Sequence, residues 1–228
     1  KVSVVGAGLD TTAFAARIES PERDRLRALL GVGPDQLLVG TVSCLKPQKS
    51  PEDFVRVAAL VCQRVPAARC VLVGDGALRP KVEALLLAQG LQDRVTLLGW
   101  RRDVAALLKA FDVFVLTSQW EGLPCAILEA RASRIPIVAT RVGGAAEAIV
   151  EGIQGTLCPA GDVRAMAERV CQILEDERFR VDLRTGTQEL PEEFTIQETL
   201  KQYQSLYAYL LHATRPSEDV MKLQPNRL

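Results

Sequence analysis

The sequence predicts a doubly wound α/β fold, a parallel sheet with helices on both faces. Two observations carry this reading. Short apolar runs rich in β-formers alternate with longer stretches of helical periodicity, as a parallel sheet covered by crossover helices requires. Punctuation also falls at the joints of that pattern. Ser50-Pro51 opens one helix with proline in its first turn, Gly90 closes the next, and Asp162 begins another.

Taken in order, the strands fall at 2–5 (Val-Ser-Val-Val), 37–44, 69–73, 94–98, 112–116, 136–140 and 155–158. Helices fall between them at about 22–30, 51–65, 77–90, 103–110, 124–133, 144–151 and 162–177. Beyond Leu190-Pro191 a last helix, about 196–213, carries a stripe of Leu200, Tyr203, Leu206, Tyr207 and Leu210. That stripe is richer in aromatics than the rest of the chain, so the helix packs either on its own sheet or on something beyond this domain. We expect one domain over 1–213 and a polar, loosely ordered tail over 214–228.

Composition narrows the class. With 228 residues, 48% of them hydrophobic, the chain has ample material for a buried core. Lys plus Arg and Asp plus Glu both total 28, which leaves no excess charge to release counterions from nucleic acid or to seek an anionic membrane. The six cysteines include no C-x-x-C pair, and the single histidine, His212, lies far from them. Most sit in apolar runs, as small buried hydrophobes of a protein in a reducing compartment. No apolar stretch approaches the roughly 18 to 20 residues that span a bilayer, so we expect a soluble, cytoplasmic protein, peripheral to a membrane at most. The chain opens on Lys1, directly before an apolar run, as expected of a piece cut from something longer.

In a doubly wound sheet ligands bind at the carboxyl ends of the strands, where loops lead into helix N-termini. Five such loops carry suggestive residues: 44–49, 74–76, 99–103, 118–124 and 142–144. The opening Gly6-Ala7-Gly8 is not a dinucleotide fingerprint, because Thr11 stands where the third glycine belongs. The two glycines fit a tight backbone turn instead.

The strongest pattern is Glu121-Gly-Leu-Pro-Cys-Ala-Ile-Leu-Glu129, two acids with seven residues between them across a strand-to-helix turn. Pro124 suits the first helical turn, so Glu121 belongs to the loop and Glu129 to the helix. There Cys125, Leu128, Glu129 and Ala132 follow i, i+3, i+4, i+7 spacing, which sets Glu129 beside an apolar stripe. A carboxylate so placed needs partners. The hydroxyl pair of a ribose would serve, with the free amides of residues 123–126 holding a pyrophosphate next to it. Alternatively Glu129 caps a neighbouring loop or pairs with Arg131 or Arg134. Lys46 and Lys49 stand just before a proline-started helix, where two amines are awkward unless an anion sits between them. They are otherwise two solvated loop lysines.

Together these segments resemble the C-terminal domain of the large family of retaining glycosyltransferases with the GT-B fold, the group 1 or family 4 type. The match runs in order through Gly40 to Lys49, Val71 to Gly76, Val95 to Asp103, the E-x7-E run, and Val138 to Gly144 with Glu147, then Gly155 and Pro159 to Asp162. It covers about residues 1 to 210. The resemblance implies a Rossmann-like half of a GT-B fold that binds a nucleoside-diphosphate sugar such as a UDP- or GDP-sugar, with no metal or other cofactor. By carry-over Glu129 would bond the ribose hydroxyls, and Glu121 with the backbone of Gly122, Leu123 and Pro124, and with Cys125 and Ala126 beyond, would face the donor. Lys49 would neutralise the leaving diphosphate. Trp100, Arg101 and Asp103 would border the base, and Gly74 and Gly76 would line the cleft.

Glu121 and Lys49 are thus the implied catalytic groups, with Lys46 among the donor-binding residues. One departure is Cys44, where the family commonly has arginine; Lys46 would replace its charge. The implied partner is an N-terminal acceptor-binding domain of the same enzyme, without which this half would catalyse little. Two alternatives stay open: a non-catalytic nucleotide-binding or interaction module that kept the fold, towards which Cys44 leans, and another sugar-nucleotide enzyme such as an epimerase.

Overall fold

The structure, a computed structural model, describes residues 3–16, 19–186 and 190–213, and the expected tail over 214–228 lies outside them. The described residues form two compact units, one within 11–190 and the other made of 3–10 with 191–213.

In the larger unit the strands are β1 (Leu37–Val42), β2 (Ala68–Val73), β3 (Val95–Gly99), β4 (Val113–Leu116), β5 (Ile137–Thr140) and β6 (Gly155–Cys158). They form one all-parallel sheet in the order β3-β2-β1-β4-β5-β6. The helices are α1 (Thr12–Ala15), α2 (Ser20–Leu29), α3 (Pro51–Arg64), α4 (Arg79–Ala88), α5 (Val104–Ala110), α6 (Cys125–Ala132), α7 (Ala145–Ala148), α8 (Val163–Glu175) and α9 (Glu177–Gly186). Strands β4, β5 and β6 are buried along their whole length, which is why β4 reads as an unbroken apolar run and β5 as one up to its last residue, Thr140. Helix α3 buries Phe54, Val55, Ala58, Val61 and Cys62 along one face, and α8 answers with Met166, Val170, Cys171 and Leu174. Asp162 caps α8 by accepting from the Ala165 amide at 3.0 Å.

The strand order reverses between β1 and β4, and that ladder is the shortest in the sheet. Only Val39 with Val113 and Gly40 with Phe114 are in register there, against six pairs between β1 and β2. Gly40 is needed at the join, since a Cβ on it would lie 2.1 Å from the ring of the fully buried Phe111. Below the ladder, the Asp112 backbone amide donates to the Leu38 carbonyl at 2.8 Å, and the Asp112 carboxylate accepts the Leu38 amide at 2.8 Å. The same carboxylate takes Arg23 at 2.8 Å and Arg27 at 2.9 Å, both from α2. Burial raises the pKa of Asp112, but the Leu38 amide and the two arginines outweigh it and hold the carboxyl below its usual value.

In the smaller unit the described residues near the start form no strand, contrary to the expected 2–5. A strand needs a ladder partner, and among the described residues this segment makes only the isolated bridge of Leu9 with Thr195, leaving Val4 89% exposed. Gly6 and Leu9 are tied instead to helix α10 (Ile196–Ala213) and the turn before it, through Thr199 Oγ1 to the Gly6 carbonyl at 2.9 Å and the Leu9 amide to the Phe194 carbonyl at 2.8 Å. On α10 the predicted stripe is largely exposed, with Leu200, Tyr203, Tyr207 and Leu210 all facing solvent. Helix α9 was not predicted as a separate element, because its sequence is polar and buries only Leu183. Cys62, Cys70, Cys158 and Cys171 are buried, Cys44 is half-buried and Cys125 is exposed, all as free thiols.

Removing a buried carboxylate that holds two buried-edge arginines should be costly. Asp112→Ala is expected to lower unfolding stability by ~3 kcal/mol or more at pH 7, measured by urea denaturation. Since the folded pKa is depressed, this stabilisation is present above the unfolded value near 4 and is lost as the pH falls below it, so the gap between wild type and variant closes only in acid.

Candidate functional site

At the carboxyl end of the sheet, the loops after β1 and β4 flank the point where the strand order reverses. Open α/β sheets place their ligand crevices at such a point. These two loops are bound to each other. Thr117 Oγ1 donates to the carbonyls of Lys49 and Ser50 at 3.0 Å each, the Gln119 amide donates to the Gln48 carbonyl at 2.8 Å, and Gln48 Nε2 donates to the Trp120 carbonyl at 2.9 Å.

That bracing brings Lys49 and Glu121 together. The Lys49 ammonium pairs directly with Glu121 Oε1, which also accepts from Ser118 Oγ at 2.6 Å, while Oε2 accepts from Gln48 Nε2 at 3.4 Å. The Glu121 side chain is only 6% exposed. Lys49 lies in a short 3-10 turn, Pro47–Lys49, that leads through Ser50 into α3. The awkwardness expected of two amines at this helix start is therefore relieved for Lys49 by a protein carboxylate. Lys46 is exposed, and its ammonium has no partner among the described residues.

Glycines let the neighbouring loops close on this pair. Gly143, at φ 45°, backs onto Glu121 so closely that a Cβ would lie 1.9 Å from the Glu121 carbonyl oxygen, and the Gly144 amide donates to the Gly122 carbonyl at 2.7 Å. On the other side Gly74, at φ 127°, packs in the same way on Ser43, and Gly76 packs on Leu45. Gly74 and Gly76 thus stand beside the loop that carries Lys46 and Lys49.

Glu129 lies in α6 and Glu121 in the loop before it, as the sequence places them. Pro124 is not in the first helical turn but immediately precedes it. Lacking an N–H, it also reduces the expected run of amides at 123–126 to Leu123, Cys125 and Ala126, which have no acceptor among the described residues. Four residues into the helix Glu129 is half-buried, and burial alone pushes its pKa up. No ion pair or hydrogen bond reaches its carboxylate among the described residues, and Arg131 instead donates to the Ala148 carbonyl at 2.7 Å. The alternative of a Glu129 pair with Arg131 or Arg134 is not what forms.

After β3, Trp100 is 76% exposed, while Arg101 and Asp103 neutralise each other through bonds of 2.8 and 2.6 Å. Sequence reasoning missed Gln48, Thr117, Ser118 and Thr140, the last donating to the Ser118 carbonyl at 2.6 Å. Small polar residues of this kind carry no spacing signal, and only their burial at a strand end marks them. Among the described residues no three His, Cys, Asp or Glu side chains gather as a metal site, and no helix is long and apolar enough to cross a membrane.

The sequence profile described as Glycosyl transferases group 1 matches residues 22–190. The chain belongs to this family. Within it, the chain is 30% identical over 210 residues to the UDP-Gal:alpha-D-GlcNAc-diphosphoundecaprenol alpha-1,3-galactosyltransferase of Escherichia coli, which covers 91% of this chain and 54% of that protein. It spans about half the length of the curated relatives it matches. Its structure is similar to that of Alr3699/HepE from Anabaena in complex with UDP and glucose, with a TM-score of 0.81 and 25% identity over 90% of this chain and 56% of that one. It also shares the fold of the C-terminal domain of the group 1 family protein LpcC from Francisella tularensis, with a TM-score of 0.71 and 21% identity over 79% of this chain and 94% of that one. The Rossmann-like α/β fold expected of a GT-B half is therefore the fold found.

Because burial raises the pKa of Glu129, the folded chain holds that proton more tightly than the unfolded one, and stability falls as the pH rises between the two pKa values. Glu129→Gln is expected to raise the urea midpoint of the ligand-free protein at pH 7 and to leave it unchanged near pH 3. Gly143→Ala, by contrast, should destabilise by ~2 kcal/mol or more, read by the same denaturation, because the methyl meets the Glu121 carbonyl at a backbone conformation that favours glycine.

Proposed function

We propose that this chain is the donor-binding half of a retaining nucleotide-sugar glycosyltransferase. The observation that carries the reading is the half-buried Glu129 carboxylate, without a protein partner among the described residues, on the helix whose start carries the free amides of Cys125 and Ala126, with that of Leu123 in the loop just before it. A carboxylate facing a ribose diol and amides facing a diphosphate are complementary to one nucleotide. The UDP-linked names of the E. coli and Anabaena proteins favour uridine diphosphate as the carrier.

Breaking the bond between the anomeric carbon and phosphate builds negative charge on the leaving diphosphate. Lys49, Lys46 and the amides at the start of α6 meet that charge, with Lys46 making up for the absent cation at Cys44. In this reading Lys49 exchanges part of its pairing with Glu121 for the diphosphate. Glu121, already held by Lys49, Ser118 and Gln48, has its oxygen lone pairs engaged and is a poor nucleophile. It acts by position and charge, and the acceptor attacks from the face the diphosphate leaves. The acceptor is held by an N-terminal domain of the same enzyme, without which this half binds nucleotide weakly and turns over little. Trp100 and the backbone of Arg101 to Asp103 border the base.

Calorimetric titration with UDP, GDP and ADP tests the proposal. UDP is expected to bind selectively, to lose at least tenfold in affinity in Lys49→Ala and in Glu129→Ala, and to lose a few-fold in Lys46→Ala. Binding of none of the three nucleotides, or equal affinity in Lys49→Ala and Glu129→Ala, sinks it. In the enzyme with both domains, a glycosyl ester found on Glu121 by mass spectrometry of a trapped reaction would overturn the assigned role of that residue.

A further inference from the structure

At the N-terminal ends of β4 and β5, on the sheet edge opposite the loops just described, lies a pocket of about 450 Å³. Four cationic side chains line it, Arg23, Lys109, Arg134 and Arg184, together with Ser133 and Phe14, and no carboxylate does among the described residues. Two of these cations, Arg23 and Arg184, share the acid Asp112 with Arg27, which does not line the pocket. The single charge of Asp112 is divided among Arg23 at 2.8 Å, Arg27 at 2.9 Å and Arg184 at 3.7 Å. The cluster therefore keeps a local excess of positive charge in a chain whose totals balance at 28 each.

Two further features of the wall are unexplained by the fold. Arg184 Nε and Ser133 Oγ are buried without a hydrogen-bond partner among the described residues, although both residues line the pocket. Arg134 follows α6 at φ 56°, with its amide on the Arg131 carbonyl at 2.8 Å and the Ile135 amide on the Ala130 carbonyl at 3.1 Å. Glycine suits that helix-ending position best, yet the chain places there an exposed arginine whose guanidinium has no partner among the described residues. Burial depresses the pKa of Arg184, and Asp112 offsets this only in part against Arg23, Arg180 and Arg27. An anion in the pocket would supply the missing charge and an acceptor for the unpartnered Arg134 guanidinium.

We propose that this pocket is a second anion site, separate from the candidate donor site, that takes a phosphate or diphosphate group carried by a small metabolite or by a lipid headgroup. The balanced overall charge argues against an extended polyanion but not against one such group, which guanidinium forks suit. The proposal does not depend on the nucleotide reading of the opposite edge.

Pyrophosphate is the probe, titrated calorimetrically into the Lys49→Ala protein so that the opposite edge is weakened. Binding is expected there with the wild-type affinity for this site, falling at least tenfold with Arg134→Gly added and further with Arg134→Glu. Arg134→Gly should keep or raise the melting temperature, because it relieves the left-handed backbone, so a loss of binding cannot be put down to unfolding. Absence of pyrophosphate binding in Lys49→Ala, or an affinity unchanged by both Arg134 substitutions, overturns the proposal. Co-sedimentation with phosphatidylglycerol against phosphatidylcholine vesicles separates the sources. Binding to the former that Arg134→Glu abolishes identifies a lipid headgroup, and pyrophosphate binding without vesicle binding identifies a soluble phosphate.

Discussion

The junction of β1 with β4 is the constraint on which the larger unit depends. The sheet changes direction there, and its ladder is shortest at that point, so little backbone hydrogen bonding joins the two halves. Side chains make up the difference at both ends. Below, Asp112 gathers the Leu38 amide and two arginines of α2. Above, Thr117, Gln48 and the Lys49–Glu121 pair bind one crossing loop to the other. The crevice at the switch point is thus held open as a crevice and held shut as a joint by the same few residues.

The two glutamates of the E-x7-E run differ in how their charges are met. Glu121 is almost wholly buried but has a cation, a hydroxyl and an amide for partners, so its charge is already spent within the protein. Glu129 is less buried and has none, so burial is the cause of its shifted pKa. A satisfied carboxylate gives a site its shape, and an unsatisfied one gives it an appetite. Sequence spacing makes the two look like equals, whereas their surroundings set them apart.

Much of the sheet was legible beforehand because a strand buried on both faces writes itself as a continuous apolar run, as Val113 to Leu116 and Ile137 to Ala139 do. Ser3 to Val5, the described part of the opening apolar run, has no ladder neighbour among the described residues, and composition cannot report a missing neighbour. Helix α9 failed in the opposite sense: it is helical while polar, and periodicity has little to say where only Leu183 is buried. In the candidate site, the placement of Glu121 in a loop and Glu129 in a helix followed from local chemistry. The contact of Lys49 with Glu121 did not, since it joins loops 72 residues apart and needs the strand order to be known. The pocket beneath β4 and β5 was invisible for the same reason, its cations being scattered from Arg23 to Arg184.

Gly40 and Phe111 bear on how this sheet can diversify. The ring of Phe111 occupies the space that any side chain at position 40 would need, with three of its carbons within 2.3 Å of where a Cβ would stand. Neither position can drift alone: enlarging the first demands a smaller second, and shrinking the second alone opens a cavity in the middle of the sheet. The two sites form a single heritable unit, to be randomised together in any library that seeks to remodel the crevice from beneath.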